Sequence, residues 1–308
     1  MRNAFIEELT ALAETDPSVF LITGDLGFGV LMDFERDFPN QFLNAGVAEQ
    51  NMTTLAAGLA MEGRNAFTYS IGNFPTLRCL EQIRNDVCYH DLPVTFVSVG
   101  GGFSYGALGM SHHATEDIAI MRALPNVMVL TPGSRWETRQ LMSHVVAHKG
   151  PVYLRLERSG DEVPQGEGPF EFGKGRVLRQ GNDITLVSAG GILTECLAAA
   201  ELLAADGIEA RVVSIHSVKP LDTEIIRQAA NDTGGIITVE EHSVIGGLGG
   251  AVAEVCLDTD WRPARFARIG LNDVYSSVVG SQDYLRRYYG MDAQAIAART
   301  RTLLGRQS

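Results

Sequence analysis

Length, composition and charge limit the kinds of protein that this sequence can encode. The chain has 308 residues, of which 45% are hydrophobic, so it can bury a sizeable core and is expected to form two domains of about 100–200 residues each. Its formal net charge of -12 argues against nucleic acid or an anionic membrane as the main partner, because both require clustered Lys and Arg.

The N-terminal stretch MRNAFIEELTALAET alternates charged and apolar residues with a helical period. It lacks the continuous apolar core of a signal peptide or a transmembrane span, so we expect a cytoplasmic protein. Four cysteines are scattered without a Cys-x-x-Cys spacing, which argues against the usual zinc and redox motifs. They are Cys79, Cys88, Cys196 and Cys256.

Short β-rich runs alternate with helix-length runs through the first half of the chain. In order they read VFLITGD, EQNMTTLAAGLAMEG, NAFTYSI, LRCLEQIRNDVCYH, VTFVSVGG, TEDIAIMRAL, VMVLTP, RWETRQLMSHVVAH and PVYLRLE. This alternation is typical of βαβ units, in which helices cover both faces of a mainly parallel sheet.

The stretch SGDEVPQGEGPFEFGKG interrupts the alternation with Gly, Pro and acidic residues and indicates a linker. A second alternating series follows, from DITLVSAGG to ARFARIG. We therefore predict an α/β fold with two domains, each a mainly parallel sheet flanked by helices. The predicted divisions are 1–160 for the first domain, 161–174 for the linker and 175–308 for the second domain.

Ligands of open α/β sheets bind beyond the carboxyl ends of the strands, so the loops that follow the strand runs are the places to search. One of these loops leads into a helix-length run that opens on Glu49 and is otherwise apolar apart from Gln50 and Asn51. A solvated acid at a helix N-terminus is the simplest explanation, since the helix dipole stabilises it by about 0.3–1 kcal/mol. Glu49 alone therefore does not define a site.

The loop GGGFSYGALGMSHH also follows a strand run, and it ends in the adjacent pair His112 and His113. A histidine pair in a glycine-rich loop favours a functional role for at least one of the two. The alternative is a surface pair that helps to start the next helix. The glycines fit neither the G-x-G-x-x-G register nor a P-loop, and no G-x-S-x-G motif is present, so dinucleotide, nucleotide triphosphate and serine hydrolase sites are not supported.

Several stretches together resemble the pyrimidine-binding and C-terminal domains of transketolase-type thiamine diphosphate enzymes, which are related to deoxyxylulose-phosphate synthase and to the β subunit of 2-oxoacid dehydrogenases. They are NAGVAEQNMTTLAAGLAMEGRNAFTYSIGNF, GMSHHATEDIAIMRALPNVMVLTPGSRWETRQL, GPVYLRLERSG, VVSIHSVKPLD and GIITVEEHSVIGGLGGAVAEV. The resemblance covers nearly the whole chain, and V-A-E-Q with the downstream S-H-x-x-x-E-D-I-A is its most specific part.

The family also has an N-terminal domain with a G-D-G…N signature that binds Mg²⁺ and the diphosphate, and this chain has no such motif. The resemblance therefore implies one half of a split transketolase. It implies thiamine diphosphate as the cofactor, with Mg²⁺ bound mainly by a partner subunit, and an assembly with two copies of each chain. The chain itself is not expected to supply metal ligands.

The resemblance also assigns roles to individual residues. The glutamate that matches Glu49 hydrogen-bonds N1′ of the aminopyrimidine and activates the cofactor, and lost hydration at an apolar helix mouth favours such proton sharing. Ile71 and Phe74 lie in the segment that packs on the aminopyrimidine, where an aromatic contact adds about 0.5–1.5 kcal/mol. Asp25 matches an aspartate near the cofactor at the subunit boundary.

Two further matches concern the substrate. His112 matches a histidine that contacts the substrate oxygen and assists proton transfer. Arg158 matches an arginine that grips the sugar phosphate. Two positions depart from the family, because Leu108 stands where an aspartate reads a substrate hydroxyl and Gly100 stands where relatives have a histidine. Both changes weaken the expected recognition of a polyhydroxylated sugar.

We therefore expect a transketolase-type transferase that moves a two-carbon ketol unit from a ketose-type donor to an aldehyde-type acceptor. The alternative keeps the cofactor and changes the donor to pyruvate or a similar 2-oxoacid, as in a decarboxylating carboligase or a dehydrogenase β subunit. A non-catalytic scaffold is a third alternative, which the intact VAEQ motif argues against.

Overall fold

The computed structural model describes residues 1–158, 163–165 and 169–306. The predicted division at residue 160 and part of the predicted linker 161–174 fall outside the described residues. Within them, no helix is long and apolar enough to cross a membrane.

Twelve strands occur in the described residues: β1 (Val19–Thr23), β2 (Phe42–Asn44), β3 (Asn65–Ile71), β4 (Val94–Val99), β5 (Met128–Leu130), β6 (Val152–Leu156), β7 (Arg176–Arg179), β8 (Ile184–Ala189), β9 (Ala210–Ser214), β10 (Ser217–Lys219), β11 (Ile236–Ser243) and β12 (Phe266–Leu271). The α-helices are α1 (Arg2–Thr15), α2 (Met32–Asp37), α3 (Glu49–Met61), α4 (Leu80–Gln82), α5 (Asp117–Ala123), α6 (Arg135–Ala147), α7 (Leu193–Ala204), α8 (Thr223–Asp232), α9 (Leu248–Asp258), α10 (Gln282–Tyr288) and α11 (Ala293–Leu304). A π-helix, Ile83–Cys88, continues α4 directly.

The strands form two sheets that follow one another along the chain. The first sheet has the order β10-β5-β6-β4-β3-β1-β2, and the second has the order β12-β11-β8-β9-β7. Every strand pairing in them is parallel except β10 with β5 and β7 with β9. The predicted α/β fold, two mainly parallel sheets with flanking helices, is confirmed.

The central strands of the first sheet are buried on both faces, because helices cover both. β4 is buried along its whole length, and β3 is buried apart from its last residue, Ile71. Such strands are expected to be continuously apolar or β-branched rather than alternating, as NAFTYSI and VTFVSV are. Their parallel pairing brings the carboxyl ends of β1, β3, β4 and β6 to one edge of the sheet.

The second half of the chain also contributes to the first sheet. The short strand β10 pairs antiparallel with β5, so it extends that sheet at the end opposite β2. The two halves therefore share a sheet, and their helices and loops pack against each other.

Candidate active site at the carboxyl edge of the first sheet

Glu49 is the first residue of α3, and its side chain is only 3% exposed. The backbone that follows β1 encloses it, since a side chain at Gly24 would lie 3.4 Å from Cγ of Glu49. A buried ionised carboxylate is costly unless a charged or hydrogen-bonding group meets it. The environment of Glu49 is therefore not that of a solvated residue at a helix end.

The partner of Glu49 is Arg78, a residue that the sequence patterns did not single out. Its Nη1 lies 2.8 Å from Oε2 of Glu49. The Arg78 guanidinium also lies over the ring of Phe74, 4.5 Å from the ring centroid. Arg78 thus links the carboxylate at the start of α3 to the aromatic ring that follows β3.

Phe74 and His112 lie side by side at this edge. Their ring centroids are 5.2 Å apart, and the rings meet edge to face at 66°. Both side chains are half-buried, as is Ile71 at the end of β3. The structure thus brings Glu49, Phe74 and His112 into one cluster, in which Arg78 joins Glu49 to Phe74 and Phe74 contacts His112.

His112 has the environment of a group that titrates below neutrality. Burial lowers the pKa of His112 below its ordinary value, and the neighbouring His113 adds to the shift. Nδ1 of the His112 ring lies 3.0 Å from the hydroxyl of Ser111. This contact orients the imidazole next to Phe74.

His113 is buried and serves the structure of the loop. Its Nε2 lies 3.1 Å from the carbonyl oxygen of Gly106, and its ring packs edge to face on Phe103. The amide of Asn73 donates to the His113 carbonyl at 2.5 Å. Of the two adjacent histidines, His112 is therefore the one that borders the Glu49 cluster.

Asp25 lies at the rim of the cluster. It is exposed and adopts a positive φ of 58°, and it follows Gly24, which packs on Glu49. Asp25 and Asn44 exchange two hydrogen bonds of 3.0 Å, one from the Asp25 backbone amide and one to its carboxylate. This exchange fixes the turn after β1 beside the end of β2.

Leu108 and Arg158 face a common cavity of about 430 Å³. The cavity is lined by Arg2, Ser104, Tyr105, Gly106, Ala107, Leu108, Arg158, Gly280, Ser281 and Gln282. Leu108 is 57% exposed there, and the Arg158 guanidinium lies 5.8 Å from the Tyr105 ring centroid. Arg2, a second cation in the lining, was not predicted, because nothing in its own stretch relates it to a loop a hundred residues away.

Residues from the second half of the chain contact the loop 100–113, which carries Tyr105 and Leu108. The carboxylate of Glu241 accepts a hydrogen bond from the backbone amide of Phe103, and the amide of Gln282 donates to the same carboxylate oxygen at 2.9 Å. The Phe103 ring stacks on Tyr289 with 5.6 Å between centroids. Contacts from β11, α10 and the residue after α10 therefore fix the position of the loop.

The described part of the chain contains no group of three or more His, Cys, Asp and Glu side chains that could hold a metal ion. In the site, Glu49 is paired to an arginine, and His112 lies beside an aromatic ring. The cluster thus offers proton transfer and ring packing.

Comparison with known proteins identifies two family domains. Residues 1–160 match the transketolase pyrimidine-binding domain, and residues 173–296 match the transketolase C-terminal domain. The chain is 41% identical over 303 residues to a putative transketolase C-terminal section of Methanocaldococcus jannaschii, covering 97% of this chain and 94% of that protein. It is 37% identical over 298 residues to an apulose-4-phosphate transketolase subunit of Phocaeicola vulgatus, covering 96% of this chain and 94% of the relative.

A solved structure supports the same family assignment. A split-gene transketolase, described as an inactive β4 tetramer, superposes with a TM-score of 0.88 at 38% identity and covers 100% of this chain and 99% of its own. Similarity of this extent in sequence and structure goes well beyond a shared fold. The chain belongs to the transketolase family and consists of its pyrimidine-binding and C-terminal domains.

Proposed function

We propose that this chain is the C-terminal subunit of a split, thiamine diphosphate-dependent transketolase that moves a two-carbon ketol unit from a ketose-type donor to an aldehyde-type acceptor. The observation that carries the proposal is the buried carboxylate of Glu49 at the start of α3, linked through Arg78 to the Phe74 ring, which in turn contacts His112. A buried acid in the same cluster as an aromatic ring and a histidine is an arrangement suited to proton transfer.

The residues present fit the pyrimidine end of this cofactor. Among the described residues, one carboxylate oxygen of Glu49 is paired to Arg78 and the other has no hydrogen-bond partner, so it is free to bind a ring nitrogen. Phe74 and Ile71 offer half-buried apolar surface for packing against a flat ring. Asp25, at the rim, lies where the neighbouring subunit would approach.

Each residue has a defined task in this proposal. Bound thiamine diphosphate supplies the nucleophilic carbon for ketol transfer. Glu49 holds a proton at the N1′ position of the aminopyrimidine, and His112 holds or removes a proton at the substrate carbonyl oxygen. Arg158 binds the anionic end of the substrate in the cavity beyond loop 100–113.

The proposal includes a partner chain. Two relatives are named as a section or a subunit of a transketolase, and the solved relative in which β chains alone form a tetramer is described as inactive. We infer that an N-terminal transketolase subunit supplies the groups that bind Mg²⁺ and the diphosphate, and that the assembly contains two copies of each chain. Four free, buried cysteines agree with a reducing compartment, so we place the assembly in the cytoplasm.

Calorimetry on the isolated chain and on the reconstituted complex tests this proposal. We expect the isolated chain to bind thiamine diphosphate poorly and to lack activity, and the complex with a subunit carrying the G-D-G…N signature to bind it in a Mg²⁺-dependent way. Mass photometry should detect a complex with two copies of each chain. Micromolar, Mg²⁺-dependent binding by the isolated chain would contradict the split-subunit proposal.

A second candidate, favoured by the exposed side chain of Leu108 in the cavity, is a reaction with a 2-oxoacid donor. An apolar wall suits a short donor without hydroxyl groups better than it suits a ketose. The two reactions differ in their products, because a 2-oxoacid donor releases CO₂ and a ketose donor does not. A donor screen on the reconstituted complex, scored by CO₂ release and by two-carbon transfer, separates them.

A further inference from the structure

Tyr105 fills a space next to the cluster that a side chain at position 100 would otherwise occupy. Gly100, directly after β4, has a φ of 99°, and a Cβ built on it would lie 2.2 Å and 2.3 Å from two carbons of the Tyr105 ring. Real Cβ atoms do not approach other atoms so closely, and the positive φ independently favours glycine. The ring of Tyr105 therefore takes the place of a residue-100 side chain.

The backbone beside the ring is anchored, because Gly106, the residue that follows Tyr105, is held from two sides. The carbonyl of Gly106 accepts a hydrogen bond from the backbone amide of Gly280 at 3.4 Å and lies 3.1 Å from Nε2 of the buried His113. A Cβ on Gly106 would lie 2.6 Å from the Gly280 carbonyl oxygen, so the two chain segments are in direct contact. The backbone that carries Tyr105 is thus fixed, and its side chain forms part of the cavity wall.

The ring lies between the two parts of the proposed substrate site. Gly100 is on one side of the ring. A Cβ built on Gly72, in the turn that leads to Phe74, would lie 3.8 Å from the carbonyl oxygen of Gly100 and 3.3 Å from that of His112. On the other side is the Arg158 guanidinium, 5.8 Å from the ring centroid. We take the ring as the surface that a substrate would contact between the Phe74–His112 pair and Arg158.

The cavity beside Tyr105 has one apolar side, and its other side carries the polar side chains of Ser104, Ser281 and Gln282. Leu108 and Ala107 line the same cavity, and the exposed side chain of Leu108 offers no hydrogen bond. A hydroxyl group pressed against the Leu108 and Ala107 side loses its water without gaining a partner, whereas a methylene group is accommodated there. The ring over Gly100 also excludes a polar side chain from position 100, so this position offers no hydrogen bond either.

We propose that Tyr105 is a specificity-determining residue, whose ring selects anionic substrates with a hydroxyl-poor carbon next to the reacting carbonyl. The inference rests on the proposed function in taking this cavity as the substrate site. The ring of Tyr105, and not its phenolic hydroxyl, is the part that selects the substrate, because the ring carbons occupy the space over Gly100.

The test uses calorimetry on the reconstituted complex with two probes, D-ribose 5-phosphate and 2-deoxy-D-ribose 5-phosphate. We expect the wild-type complex to bind the deoxy probe at least tenfold more tightly. Tyr105→Leu, which removes the ring, should reduce the ratio to within threefold, and Tyr105→Met provides a second such variant should Leu fold poorly. Tyr105→Phe, which keeps the ring, should retain the wild-type ratio, as should Tyr275→Leu, at a 73% exposed tyrosine.

Several results would overturn the inference: an unchanged ratio in the Leu and Met variants, a tenfold change of the ratio in Tyr105→Phe, equal binding of the two probes to wild type, or no binding of either. The measurement does not require turnover, so it separates the two proposals. A complex that shows the expected ratios and turns over no donor would overturn the transketolase proposal and leave the role of Tyr105 intact.

Discussion

The carboxylate of Glu49 and the guanidinium of Arg78 form an ion pair, with 2.8 Å between Oε2 and Nη1. The acid is buried and the arginine is 47% exposed, so the pair joins the interior of the site to its surface. Since Arg78 also covers the Phe74 ring, one cation fixes both the acid and the aromatic side chain. This geometry makes Arg78 the residue that holds the cluster together.

Replacing Arg78 with Gln is expected to weaken both stability and activity. The buried Glu49 would lose its charged partner, which costs about 1–3 kcal/mol and lowers the melting temperature by about 2–6 °C. Because Glu49 would also lose the contact that fixes its side chain, we expect kcat of the reconstituted complex to fall about tenfold, which corresponds to about 1.4 kcal/mol.

The matched control is Arg84→Gln, since Arg84 is exposed and its guanidinium bonds the side chain of the adjacent Asn85. Scanning calorimetry and steady-state kinetics on both variants decide the matter. If Arg78→Gln behaves like Arg84→Gln in both measurements, the pair has no role in organising the site.

His112 should determine the acid limb of the pH profile. Its pKa is lowered, chiefly by burial, so the neutral imidazole persists to more acidic pH than in a free histidine. If the neutral form accepts the substrate proton, kcat/KM falls as the pH drops through this lowered pKa. The midpoint of the limb should therefore lie below about 6.5.

We expect His112→Asn to lower kcat/KM by about 10²-fold and to abolish this acid limb. His90→Asn, at an exposed histidine, should leave the profile unchanged. The profile is measured with the reconstituted complex from pH 5 to pH 9. An acid limb that persists in His112→Asn would assign the titration to another group.

Leu108→Asp tests the character of the cavity. A carboxylate at this position would face Arg2 and Arg158 in the same lining, so it would compete with the anionic end of a substrate for these cations. Leu108 is 57% exposed, so we expect little change in stability. The expected result is a loss of kcat/KM of about tenfold or more with the preferred donor and no gain with a ketose phosphate.

The control is Leu257→Asp, at a 67% exposed position of α9. Donors to compare are a ketose phosphate, an unphosphorylated ketose and a short 2-oxoacid. A tenfold gain for the ketose phosphate, with no loss for the other donors, would show that the position needs a hydroxyl partner after all and would reject the apolar donor site.

The sequence predicted those features that depend on local periodicity. Strands such as NAFTYSI and VTFVSV are buried on both faces and therefore read as apolar runs, and the helix that opens on Glu49 begins at that residue. The fold class and the family follow from these runs and their motifs. The family resemblance also singled out Glu49, Phe74 and His112, three residues that lie in one cluster in the structure.

Features that depend on contacts between distant segments were not predicted. Residues 210–219 form β9 in the second sheet and β10 in the first, and no local pattern marks the change of sheet. Helix α11 went unassigned, although Ile296, Ala297 and Thr300 are buried on one face. Likewise, nothing near Arg78 identifies a carboxylate 29 residues earlier as its partner.

The most direct test of the account is the activity of Glu49→Gln in the reconstituted complex, next to Glu62→Gln, at the exposed residue that follows the same helix. The amide keeps the shape of the carboxylate and cannot share its proton, so we expect cofactor binding to be retained and kcat to fall about 10²–10⁴-fold. Glu62→Gln should match wild type. A Glu49→Gln complex within threefold of wild-type kcat would contradict the central role assigned to Glu49.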